Sequence, residues 1–378
     1  MTARPAAKGW CPGAYRPMAS GDGLIVRVRP RLARLTADQA LGLCTASAQF
    51  GSGIIDLTSR ANLQVRGVNS EDHQSLIDAL WSLDLLDGDP AMEERRNILA
   101  APLWQPGDGT DRIATALAAR LADLPPLPVK FGFAVDCGTA RVLGAAPADI
   151  RVERGQSGGL ILRPDGAELG TPVTCAGAVD AIIALAQWFS DSGGATSGRM
   201  ARHLAQGARN HAAGIERPAR SGAMPQPGPS PIGPVYGVAF GQIEAAALAR
   251  LIGDSGALAL RLSPNRTLIL EGGDAVAAPE FLTDPADPLL RIDACPGAPF
   301  CRSATVETRS LARALAPLVQ GSLHVSGCAK GCARARPAAL TLTGRDGVFD
   351  LVKDGLAWDA PTASGLAPDT LPAVFGAS

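Results

Sequence analysis

Short stretches of alternating apolar and polar residues recur along the chain, separated by segments with helical spacing. Gly23-Leu-Ile-Val-Arg-Val-Arg29 reads as a strand, Thr36-Ala-Asp-Gln-Ala40 opens a helix, and Gly53-Ile-Ile-Asp-Leu57 is a second strand. Ser59-Arg-Ala-Asn-Leu-Gln-Val-Arg-Gly67 then supplies a turn and a third strand. A similar unit stands far downstream. There Tyr236-Gly-Val-Ala-Phe240 is strand-like, 242–255 is helical, and Ala257-Leu-Ala-Leu-Arg-Leu262 precedes Ser263-Pro-Asn-Arg-Thr-Leu-Ile-Leu-Glu-Gly272. The order of elements and the turn chemistry both recur, which predicts two half-sheets pairing into one domain about a pseudo-two-fold axis.

Between the units the pattern predicts a helix over 110–123, a strand over 129–135, and helices over 175–190 and 198–213. Residues 217–234 are so rich in Pro and Gly that they read as a linker. A cysteine-bearing α/β segment occupies 287–356, and the Ala/Pro-rich tail 357–378 is expected to be loosely ordered. The expected division is an α+β chain with half-domains at 1–85 and 235–285 and α/β domains at 86–216 and 286–378.

Composition sharpens this. Hydrophobic residues make up 46% of the chain and charged residues 19%, enough apolar material for real cores. The net charge of −1 argues against a nucleic-acid partner. The cations are nearly all arginine; the lysines are Lys8, Lys130, Lys330 and Lys353. The first residues lack the apolar core of a signal peptide, and the longest apolar stretch, 176–189, is too short for a bilayer. A cytoplasmic, reducing location is expected, with no membrane partner. There, eight cysteines point to metal ligands, catalytic thiols or core residues rather than disulfides.

Four of them form two close pairs. Cys295-Pro-Gly-Ala-Pro-Phe-Cys301 is C-x5-C and Cys328-Ala-Lys-Gly-Cys332 is C-x3-C, separated by a helix expected over 304–316 and a strand over 322–325. Four thiolates on two Gly/Pro turns suit an iron–sulfur cluster, whose sulfurs take hydrogen bonds from exposed backbone N–H groups. A structural zinc would prefer short knuckles on both sides, which the first pair is not. Four buried free thiols are the bland alternative. Cys44, Cys137 and Cys175 stand in apolar contexts and read as core, while Cys11 sits beside a turn.

The run from Ala294 through Cys301, with Glu307-Thr-Arg309 and His324-Val-Ser-Gly-Cys-Ala-Lys-Gly-Cys332, resembles the sulfite/nitrite reductase family, and the two repeat halves extend that resemblance over nearly the whole chain. It implies two ferredoxin-like half-domains pairing pseudo-symmetrically plus two α/β domains, the second holding a 4Fe-4S cluster on Cys295, Cys301, Cys328 and Cys332. Three anion-binding positions carry over. Arg60 comes from Thr58-Ser-Arg-Ala-Asn-Leu-Gln64, Arg96 from Arg95-Arg-Asn-Ile98 and Lys130 from Leu127-Pro-Val-Lys130. Gly132 stands where sulfite reductases carry a second lysine, and Lys330 replaces a usual asparagine.

The chain's shortness, the missing second lysine and the opening Gly9-Trp-Cys-Pro-Gly13 are similar to a branch of the family that works on a metal-free tetrapyrrole in aerobic cobalamin synthesis. That implies an O2-dependent monooxygenase which hydroxylates C20 of precorrin-3A and closes a γ-lactone. It would draw electrons from NADH or a reductase/ferredoxin and also use a mononuclear non-haem iron. Physically, arginine forks suit an acid-rimmed macrocycle. The rival readings are a sirohaem-dependent nitrite or sulfite reductase and a non-catalytic tetrapyrrole-binding Fe–S carrier. No iron ligand is assigned among His73, His203, His211 and His324. His73 is expected to be solvated, His203 and His211 to lie on the surface, and His324 to be a core or substrate contact. A monomer is expected.

Overall fold

The computed structural model of the chain describes residues 12–209 and 214–376. The two repeat units exchange strands. The first sheet runs Met18–Ser20, Gly23–Val28, Leu63–Val68, Ile54–Leu57 and then Gln242–Glu244, which comes from the second unit. The second sheet runs Val235–Gly237, Thr267–Glu271, Ala259–Leu262 and then Arg34–Thr36, from the first unit. Each borrowed strand leads directly into its unit's helix, Ala37–Phe50 or Ala245–Ser255, and these two helices pack together. Thr36 and Gln39 close a capping box on the first helix, which fixes where that helix starts. Val26, Val28, Leu63, Val65, Leu260, Leu262 and Leu268 bury one face of the paired sheets against the helices.

The pseudo-symmetry extends to strained backbone. Leu32 and Ala33 have φ of 52° and 56°, and Phe240 and Gly241 have 59° and 76° at the matching bend. Ala61 and Arg266 likewise both sit at positive φ in matching turns.

The two α/β domains share one sheet plan. Ile98–Ala100, Phe133–Asp136 and Ile150–Arg154 are parallel, and Leu160–Pro164 and Thr171–Val173 continue antiparallel. In the second domain Ile292–Ala294, Leu323–Ser326 and Ala338–Arg345 are parallel, followed antiparallel by Val348–Gly355 and Ala363–Leu366. The expected α+β architecture is the observed one.

Several local expectations are corrected. Residues 217–234 do not hang free. The Ala219 N–H donates to Arg154 and the Gly222 N–H to Arg141, with bridges at Glu216, Pro218 and Ser221, so the segment edges the first α/β domain. Scattered prolines remove only their own donors, and the Ala and Gly between them still pair. Of the helix expected over 198–213, only Met200–Ala205 is helical among the described residues; a separate short helix, Gly194–Ser197, ends just before Gly198 at φ 73°. The strand expected from 129 begins only at Phe133, because Lys130 lies in a turn. The helix between the cysteine pairs is Arg309–Leu315, shorter than 304–316. The tail carries a strand, Ala363–Leu366, and a helix, Leu371–Gly376. Among the described residues no helix is long and apolar enough to cross a membrane.

Candidate functional site

The site is built from the carboxyl ends of parallel strands, where open α/β sheets usually place ligands. Ala294 and Val325 are register partners on adjacent parallel strands. Cys295 follows the first strand directly and Cys328 follows the second with only Gly327 between it and Ser326, so the two cysteine loops start side by side. They nest closely. A Cβ on Gly297 would lie 2.6 Å from Thr308 Oγ1, and one on Gly327 would lie 2.6 Å from Ala304 Cβ. Gly297 also has φ 69°, so only glycine serves there. The Thr308 hydroxyl donates to the Cys295 carbonyl, and the Ser326 hydroxyl to the Cys328 carbonyl at 2.7 Å.

Cys295 is buried, and its Sγ accepts the Gly327 N–H at 3.1 Å. Burial pushes this thiol up. The N–H groups of Gly327 and Gly297 pull it down, and the neighbouring Cys301 and Cys328 sulfurs raise it again. Three of the four predicted ligands thus lie within electrostatic reach of one another. Cys332 is exposed on the same loop as Cys328. Among the described residues no three Cys, His, Asp or Glu side chains are closed into a finished metal site. The donor set nevertheless fits an iron–sulfur group. The thiols are soft, they repel each other's ionisation, and backbone N–H groups already point at sulfur.

The C-x5-C loop docks on the first half-domain. The Gly21 N–H and the Ser20 hydroxyl both donate to the Phe300 carbonyl, at 3.1 and 2.7 Å. A Cβ on Gly21 would lie 2.3 Å from the Pro299 carbonyl oxygen, so that contact requires glycine. The sheet face opposite the core carries a polar row in register, Arg27, Gln64, Asp56 and Gln242. Beside it Arg66 donates to Asp22 and Asp56, and Arg309, at the start of its helix, reaches Asp56 at 3.3 Å.

Arg60 and Lys130 meet. Arg60 lies in a turn closed by the Thr58 N–H to the Asn62 carbonyl, 2.9 Å, and its Nη2 donates to the Lys130 carbonyl at 2.8 Å. Asn97 donates to Val129 in the same loop, and the Lys130 residue is exposed. A Cβ at Gly132 would lie 3.1 Å from the Asn97 carbonyl and 3.2 Å from Arg60 Nη1, so a longer side chain there would push on this group.

Arg96 is placed differently. It is 6% exposed and paired with Glu93 and Asp87, and Glu93 also accepts from Arg29 at 3.2 Å. Its guanidinium is anchored in this buried network rather than displayed beside Arg60, although Nη1 has no hydrogen-bond partner among the described residues. Arg27, Arg29, Arg66 and Glu93 were not anticipated. The period-2 alternation Val26-Arg27-Val28-Arg29 and Leu63-Gln64-Val65-Arg66 would have put these arginines on the face away from the core.

Two histidine expectations are corrected, those for His203 and His73. His203 is buried, held by Ser192 and Ser197 and packed against Trp188 and Phe189. His73 is not simply solvated, since its Nε2 lies 2.9 Å from the Ala14 carbonyl. His324 is buried in the strand before Cys328, and desolvation lowers it to about 4. Cys44 and Cys137 are core thiols that burial pushes up to about 12, and Cys175 is half-buried. Gly9, Trp10, Cys11 and His211 lie outside the described residues.

Comparison with known proteins places this geometry. Residues 16–82 match the family described as nitrite/sulfite reductase ferredoxin-like half domain. A curated relative, "Precorrin-3B synthase" from Sinorhizobium sp, is 34% identical over 94% of this chain and 85% of its own length. The solved structure of the Mycobacterium tuberculosis NirA protein is 18% identical, with a TM-score of 0.66 over 93% of this chain and 79% of that one, and shares the fold.

Proposed function

We propose that this chain, which belongs to the precorrin-3B synthase family within the nitrite/sulfite reductase fold, is an O2-dependent oxidoreductase that hydroxylates C20 of precorrin-3A and closes a γ-lactone from the ring A acetate. The observation that carries the reading is the docking of the Cys295–Cys301 loop, through the Phe300 carbonyl, onto the half-domain that bears Arg27, Arg60 and Arg66. Redox-capable thiolates thereby border a face suited to a polyanionic macrocycle.

The chain's own residues bind and orient. Arg60 and Lys130 take rim carboxylates, Arg60 being pre-set by its bond to the Lys130 carbonyl. Arg96, buried and paired with Glu93 and Asp87, braces this part of the half-domain rather than meeting a carboxylate itself. Fixing several carboxylates at once sets which macrocycle edge meets the cysteine loops. Gly132 lets the Arg60 guanidinium and the Asn97 carbonyl approach closely. Cys295, Cys301, Cys328 and Cys332 would hold a 4Fe-4S cluster, which when bound would supply single electrons; the mononuclear non-haem iron that the resemblance implies has no ligand set among the described residues. The proposed partners are precorrin-3A, O2 and an electron donor, NADH or a reductase/ferredoxin. The chain works as a cytoplasmic monomer, since both pseudo-symmetric halves lie in one chain.

The test is turnover. Anaerobically purified protein, given precorrin-3A, O2 and a reduced ferredoxin, consumes the substrate and shows cluster absorption without sirohaem bands. Unchanged precorrin-3A under these conditions contradicts the proposal.

A further inference from the structure

Lys330 stands midway between Cys328 and Cys332, and its ammonium donates to Ser303 Oγ at 2.8 Å. Ser303 is two residues beyond Cys301. One side chain therefore spans both cysteine loops, and it does so from the outer side. Cys295 is buried in the cleft between the loops, whereas Lys330 is half-buried and Ser303 exposed. The bond to the Ser303 hydroxyl fixes the ammonium in place. Residues 295–337 carry Arg302, Arg309, Arg313, Lys330, Arg334 and Arg336 against Glu307 as their one acidic residue. Arg309 is directed to Asp56 and Arg334 to Asp293, so these two charges are committed elsewhere. Lys330 is the cation tied to the loops themselves.

We propose that Lys330 is a positioning residue for the cluster. It pins the C-x5-C loop to the C-x3-C loop and holds a positive charge beside the four thiolates, which raises the midpoint potential of the group they bind. The inference rests on the reading that Cys295, Cys301, Cys328 and Cys332 hold a 4Fe-4S cluster. One-electron reduction adds one negative charge to a group that is already anionic. A cation fixed between two of the cluster cysteines and tethered two residues from a third favours the reduced form, and protein charge and hydrogen bonds are known levers on such potentials.

The experiment uses anaerobically purified holoenzyme. Iron and sulfide are assayed first, and then the midpoint is read by EPR during titration with sodium dithionite. Lys330→Met should shift the reduction equilibrium about tenfold toward the oxidised form, about 59 mV more negative for a one-electron couple. Lys330→Arg, which keeps the charge, should stay close to wild type. Ser303→Ala keeps the charge but loses the tether, so it should release iron to a chelator several-fold faster with a small change in midpoint. A Lys330→Met protein with full iron and an unmoved midpoint overturns the proposal. Should Lys330→Met fail to retain its cluster, Ser303→Ala decides: faster iron release upholds the tether, and an unchanged rate overturns it. Wild-type protein lacking both iron and sulfide would instead overturn the underlying cluster assignment.

Discussion

Replacing Glu93 with glutamine should destabilise the first half of the molecule by about 3–5 kcal/mol, the usual cost of breaking a buried ion pair from one side. The figure follows from the site. Glu93 is 1% exposed, and its partners Arg29 and Arg96 are 3% and 6% exposed. One carboxylate oxygen accepts from Arg29, and the other accepts from Arg96 and from the Asp87 N–H. Glutamine keeps one accepting oxygen. Either way round, its NH2 faces a guanidinium or an amide donor, so a hydrogen bond becomes a donor–donor clash. Arg96 then keeps Asp87 as its ion-pair partner, while Arg29 loses its only ion pair among the described residues. The network has no acceptor to spare, because Arg29 Nε and Arg96 Nε and Nη1 already have no hydrogen-bond partner among the described residues. Burial also lowers the Arg29 pKa, with Glu93 as the main opposing influence. The assay is urea denaturation of wild type and Glu93→Gln at pH 7, followed by tryptophan fluorescence. A loss below about 1 kcal/mol would refute the reasoning, since that is the scale of a solvent-screened surface pair.

Other consequences can be measured directly. Arg60→Met should weaken precorrin-3A binding about 10–100-fold, the worth of one charge-assisted contact, with the fold intact by circular dichroism. Lys130→Met should act in the same direction. Glu271 is held down to about 2 from an ordinary 4.5, mainly by Arg34 and then by Arg261, so its contribution is fully present above about pH 4.5 and is lost as pH falls toward 2. The urea midpoint should therefore drop between pH 6 and pH 3, and less steeply in Glu271→Gln. Cys44 and Cys137, both pushed up to about 12 by burial, should resist alkylation at pH 8 in native cluster-free protein, while the exposed Cys332 reacts readily.

Much of this architecture can be read from residue order. The paired half-sheets were legible because strand alternation, helix spacing and turn residues all recur at matching places, down to the turn in which Ala61 and Arg266 share positive φ. The cysteine loops were legible because chemistry that specialised needs unusual residues at fixed spacing. What could not be read is pairing at long range. The strand exchange through Arg34–Thr36 and Gln242–Glu244 involves three-residue strands too short to leave a period. The Pro/Gly run at 217–234 looked like a linker because composition reports missing donors, not which remaining N–H groups find a sheet edge. Arg96 looked like a displayed anion ligand because its motif carries no sign of Glu93 folding back beneath it within one short helix. His203 looked like a surface residue because nothing local announces Ser192 and Ser197 as partners.

The central claim is that these residues orient precorrin-3A for oxygen insertion at C20. It is tested most directly by running the reaction under 18O2 with a reduced ferredoxin and weighing the product by mass spectrometry. The account predicts a hydroxylated lactone carrying one 18O atom, with the label lost when unlabelled O2 is used. A product whose new oxygen comes from water, or precorrin-3A recovered unchanged, would contradict it.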